Sequence, residues 1–89
     1  MKSFYYSKTL SVTDSQQRFE LPVLRSVSIK NNGDYDVYVN FEADIDSDSL
    51  VIPVGAVEEF EFSPLDIRYK CAASETATIQ IYGLTNEKA

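Results

Sequence analysis

The run Tyr35-Asp36-Val37-Tyr38-Val39-Asn40-Phe41 keeps Tyr35, Val37, Val39 and Phe41 on one parity and Asp36, Tyr38 and Asn40 on the other. A helix would scatter these residues around its axis, whereas an extended strand sends each set to its own face. Leu65, Ile67, Tyr69 and Cys71 repeat the pattern against Asp66, Arg68 and Lys70. Ala77, Ile79 and Ile81 do so against Thr78, Gln80 and Tyr82. Weaker alternation turns Leu10, Val12, Phe19, Leu21, Val27 and Ile29 inward as well. A period of two repeated along the chain requires sheets with one dry face and one wet face.

The turn signals agree. Asn31-Asn32-Gly33-Asp34 falls between two alternating runs, and Asn-Gly suits a type I′ hairpin. The strands near 24–31 and 35–41 are therefore expected to pair. Pro53-Val54-Gly55-Ala56 is a second turn, joining Leu50–Ile52 to Val57–Phe62. Ser63-Pro64 and Ala73-Ser74-Glu75-Thr76 punctuate the remainder. Val57 is out of parity with Phe60 and Phe62, so that strand is expected to begin only at Glu59. No segment carries a helical apolar stripe. The expected fold is an all-β antiparallel sandwich of about seven or eight short strands, jelly-roll or immunoglobulin-like.

With 89 residues the chain forms one domain, 1–89, with a thin core. Residues 1–8, rich in aromatics at Phe4, Tyr5 and Tyr6, read as a docking arm. The polar tail 85–89 is expected to fray. A net charge of −6 with no basic cluster repels nucleic acid and anionic membrane surfaces. The start of the chain lacks the apolar core of a signal peptide, and no apolar run is long enough to span a bilayer. Cys71 is the sole cysteine, which excludes an internal disulfide and fits synthesis in a reducing cytoplasm.

Histidine is absent, which removes the commonest general base and metal ligand together with Ser-His and Cys-His nucleophile pairs. Cys71 shares the parity of core positions, where a thiol packs as a small hydrophobe. Nucleotide-binding and hydrolase signatures are missing. The chain is therefore expected not to be an enzyme and to need no cofactor. Asp44-Ile45-Asp46-Ser47-Asp48-Ser49 spaces Asp44, Asp46 and Asp48 like the start of a calcium loop. Ser49 stands where an EF-hand needs glycine and Gly55 where it needs glutamate, so a solvated acidic loop is the expectation and a looser Ca2+ site the alternative. Tyr38 and Tyr82 point away from the apolar sets of their strands, as interface residues or as platforms for sugar rings.

The stretch from Val27 to Leu84 has one continuous cadence of strands and turns. Its first part runs from Val27 through the Asn-Gly turn to Phe41. Leu50-Val51-Ile52-Pro53-Val54-Gly55-Ala56 leads next into Glu59-Phe60-Glu61-Phe62. Last, Ile67–Ala73 leads into Thr76–Gly83. Together these resemble the small β-sandwich proteins that tailed bacteriophages carry in their virions as decoration, fibre-base, head-completion or tail-associated subunits. The resemblance implies a non-enzymatic subunit, made in the host cytoplasm and located in the virion. Such a subunit binds copies of itself and a larger capsid or tail protein, with Phe4, Tyr5, Tyr6, Tyr38 and Tyr82 as interface candidates. A carbohydrate- or receptor-binding module is the alternative.

Overall fold

The structure, a computed structural model, describes the backbone of residues 2–87 and the side chains of residues 6–84. Within these residues there is no helix, and eight strands form two antiparallel sheets. They are β1 (Lys2–Val12), β2 (Gln17–Glu20), β3 (Ser26–Asn31), β4 (Val37–Phe41), β5 (Leu50–Ile52), β6 (Val57–Phe60), β7 (Asp66–Lys70) and β8 (Ala77–Glu87). One sheet has the order β1-β8-β3-β6 and the other β2-β7-β4-β5. The pairs β1·β8, β2·β7, β3·β6 and β4·β5 nest inside one another, as in a long hairpin rolled into two layers. This wrapping is a jelly roll, which settles the choice left open by alternation alone.

The inner faces meet in one core. Leu10, Val12, Val27, Ile29, Ile79 and Ile81 come from the first sheet. Val37, Val39, Ile52, Ile67 and Tyr69 come from the second, with Cys71 just beyond β7. Each fully buried aliphatic side chain contributes about 1.5–3 kcal/mol relative to exposure, so the interdigitated valines and isoleucines are the main favourable term. Phe41, Phe60 and Phe62 close one end of the sandwich as an edge-to-face cluster with ring centroids 4.9–6.0 Å apart.

Four expectations need correction. Asn31-Asn32-Gly33-Asp34 is not a hairpin, because β3 and β4 lie in different sheets and the segment crosses between layers. Gly33 does not take a positive φ; it is needed because a Cβ there would lie 2.6 Å from that of Ala77. Asn31 itself is fully buried and builds the crossing. Its Nδ2 donates to the carbonyls of Tyr35 (2.8 Å) and Ile52 (2.9 Å), and its Oδ1 accepts from Gly33 N (2.9 Å).

Tyr35 and Leu65, assigned inward by parity, are exposed. Each precedes its strand, where backbone bonds to loops override the alternation. The Tyr35 carbonyl is held by Asn31, and Leu65 donates to Glu42 Oε2 while accepting from Leu21 N. The sixth strand starts at Val57 rather than Glu59: Val57 stands opposite Lys30 on the outer face, and Phe60 opposite Val27 on the inner one. At the chain ends, β8 pairs with β1 through Glu87, so residues 85–87 are not a frayed tail in the backbone. Residues 2–8 are the first part of that same pairing. Lys88 and Ala89 lie outside the described residues, as does Met1.

The turn at 53–56 is as read from sequence. Ala56 N donates to the Pro53 carbonyl, and Gly55 takes φ 78°, the left-handed angle that a type II turn requires.

Candidate functional site

Strand directions sort the connections into two ends. At one end lie the β2–β3 segment 21–25, the β6–β7 segment 61–65 and the last residue of β8 that pairs with β3, Leu84. Beyond Leu84 only β1 and β8 continue, so Lys2–Phe4 and Thr85–Glu87 project as a two-stranded ribbon. The molecule is accordingly 46 Å along its longest axis and 17 Å along its shortest.

This end is apolar on its outside. Val23 is 80% exposed, Leu65 69%, Phe62 46% and Leu84 42%. Backbone bonds tie their loops together: Leu21 N to the Leu65 carbonyl, and Arg25 N to the Leu84 carbonyl. Ser63 Oγ accepts from Leu24 N at 3.2 Å, which fixes the two loops side by side. Leu24 and Pro64 are buried beneath, so the loops are anchored while their neighbouring side chains face outward. Glu20, Glu42, Glu59 and Glu61 lie around this end and are exposed. Sequence parity does not reveal the patch, because Val23 and Leu65 sit outside strands; the prolines at 22 and 64 are the only local signal that alternation stops there.

The outer face of the second sheet is charged. Arg18 and Arg68 stand directly opposite each other on β2 and β7, an arrangement of like charges that disfavours pairing by itself. Asp66 resolves it. Its carboxylate, 7% exposed, meets Arg18 Nε at 2.9 Å and Arg68 Nε at 3.3 Å, the latter as an ion pair without hydrogen-bond alignment. It also accepts from Glu42 N at 3.2 Å. Burial pushes the Asp66 pKa up, but the Arg18 hydrogen bond and the charges of Arg68 and Arg18 outweigh it and hold the carboxyl below its usual value.

The acidic loop does not gather its carboxylates. Asp44 folds back across this sheet, accepting from Arg68 Nη1 (2.7 Å) and Gln16 Nε2 (3.0 Å). Asp46 Oδ1 instead accepts from Asp48 N at 2.9 Å, closing its own turn. No group of three or more candidate ligands is brought together among the described residues. The three residues do not form a cation site in this arrangement.

The aromatic candidates also separate. Tyr38 is half-buried on the outside of the second sheet, opposite Lys70 and Val51. Tyr82 is half-buried on the outside of the first, opposite Ser7 and Ser28. The two lie on opposite outer faces of the sandwich. Tyr6 turns inward over Gly83, packs against the core, and has its pKa raised by burial. The side chains of Phe4 and Tyr5 lie outside the described residues. Cys71 is buried, and burial first, then the charges of Glu75 and Asp14, push its thiol up.

No pocket opens among the described residues. The surface therefore offers edges and an apolar end rather than an enclosed site.

No family model and no curated protein matches the chain. Among solved structures, it resembles the crystal structure of an HTH_3 family transcriptional regulator from Vibrio cholerae, with a TM-score of 0.57 and 20% identity. The match covers 97% of this chain and 44% of that one, so this chain spans less than half of the regulator's length. The likeness is one of fold.

Proposed function

We propose that this protein is a non-enzymatic structural subunit of a tailed-bacteriophage virion, binding copies of itself and a larger capsid or tail protein. The observation that carries this reading is the exposed apolar group Val23, Phe62, Leu65 and Leu84 at the end from which the β1–β8 ribbon projects. Exposed apolar patches with a polar rim mark protein–protein contacts. The jelly roll supports the reading, since capsid proteins use it, although lectins do too. The carbohydrate alternative draws no support from Tyr38 and Tyr82, which cannot flank one ligand from opposite faces.

The test is association and location. Sedimentation across a concentration series is expected to give a mass above one chain, and the protein is expected to co-migrate with phage particles in a density gradient. Leu65→Asp, at an exposed loop position, is expected to weaken one of these without altering the circular dichroism spectrum. A monomer at all concentrations that never joins particles overturns the proposal, and glycan binding by that monomer would establish the alternative.

A further inference from the structure

A jelly roll leaves four sheet edges, and among the ways natural sheets blunt such edges, besides lysines, prolines and bulges, is keeping the edge strand short. Three edges here follow that rule: β2 and β6 have four residues each and β5 has three. The fourth does not. β1 has eleven residues, and its register with β8 is one-to-one from Lys2↔Glu87 to Val12↔Ala77, with no bulge to twist it away. It contains no proline, and no other strand pairs with its outer edge among the described residues. β1 also carries no carboxylate in a chain of net charge −6; its only charges are Lys2 and Lys8.

The length of β1 identifies its partner. A copy offering β2, β5 or β6 would cover at most four of the eleven residues, whereas a second β1 covers them all. We infer that two copies of the chain join antiparallel along β1, about a twofold axis through Ser7, turning two four-stranded sheets into one of eight. This rests on the self-association proposed above and names its surface.

The register follows from geometry. Paired residues in an antiparallel ladder point to the same face and share one hydrogen-bonding type, so the axis must pass through a residue rather than between two. Full overlap of residues 2–12 then places Ser7 opposite its own copy. In this register Lys8 faces Tyr6 and Lys2 faces Val12, so no lysine opposes a lysine. Ser7 is exposed on the outer face, where its Oγ accepts from Gln80 Nε2 at 2.9 Å. Nothing in that bond obstructs a second strand at the edge.

Cysteine cross-linking tests it. Across the axis the two position-7 Cα atoms stand about 4.5–5.5 Å apart, within disulfide range. Thr9, exposed on the same face, faces Tyr5, and two copies of position 9 are about 13 Å apart along the pair. Oxidised Ser7→Cys is expected to run as a covalent dimer of twice 10.0 kDa, Thr9→Cys to stay single, and Ser7→Lys to sediment as a folded monomer. The native Cys71 is buried and does not compete. Equal cross-linking at 7 and 9, or none at 7 while the native mass exceeds one chain, overturns this pairing and leaves self-association standing. A single-chain mass at all concentrations overturns both.

Discussion

The side-chain amide of Asn31 lies 2.9 Å from the carbonyl of Ile52, tying the crossing between the two layers to the end of β5. The same residue's backbone accepts from Gly55 N and donates to the Ala56 carbonyl, so the β3–β4 and β5–β6 connections at one end of the sandwich both hang on one asparagine.

Asn31→Ala should therefore cost about 2–4 kcal/mol, because two buried carbonyls and the Gly33 amide lose their partners together. Asn31→Asp should be at least as harmful, since a carboxylate would face those carbonyls with no donor. Urea unfolding followed by circular dichroism measures both; a loss below about 0.5 kcal/mol, the scale of a surface change, contradicts the keystone role.

The three glycines should respond differently to alanine. At Gly83 a Cβ would collide with the Ser26 carbonyl oxygen, and at Gly33 it would meet Ala77 at 2.6 Å. Backbone must move in both, so losses of about 1–3 kcal/mol or more are expected. Gly55 has open space but a φ of 78°, so Gly55→Ala should cost about 1–2 kcal/mol and Gly55→Asn less. Thermal melts of the four variants give the ranking.

Neighbouring leucine and isoleucine should also part company. Leu65→Ala should change stability by no more than about 0.5 kcal/mol, whereas Ile67→Ala should cost about 2–5 kcal/mol in the closed core. Equal losses would restore Leu65 to the interior.

Acid titration should expose Asp66. Its native pKa lies below that of the unfolded chain, so its contribution is complete above about pH 3.9 and disappears as pH falls through the lower native value. Asp66→Asn should lower stability near neutrality and flatten the acid limb of the stability curve. At the other extreme, Cys71 and Tyr69 have raised values, chiefly from burial. The stability they confer is present below their unfolded pKa values and is lost as pH rises through the native ones. Cys71→Ala should soften the alkaline limb from about pH 8.5 upward.

Calcium should leave the melting temperature unchanged, because Asp44 is paired with Arg68 while Asp46 caps its own turn. A rise of several degrees in millimolar calcium would show that the loop can rearrange into a site.

The core was readable because alternation is local. Val27, Ile29, Val37, Val39, Ile67, Tyr69, Ile79 and Ile81 are all buried as their parity requires. Sheet membership was not, because it is a long-range property. Asn32-Gly33 has the composition of a hairpin turn, yet the demand on Gly33 comes from Ala77, far along the chain. The pairing of β1 with β8 leaves no trace in either strand's periodicity. The apolar end escaped for a related reason: Val23 and Leu65 lie where loop bonding, rather than pleating, sets the direction of a side chain. Asp66 escaped too, since a carboxylate on a wet parity gives no hint that two arginines will cover it.

The insertion of β8 between β1 and β3 has a consequence for biosynthesis. Of the eight strands β1 is made before the others, and six of them follow it before its neighbour β8 exists. Throughout that interval both of its flanks are bare, and contacts so distant in sequence form slowly. A nascent chain is thus most open to exchanging strands with another copy before it is finished.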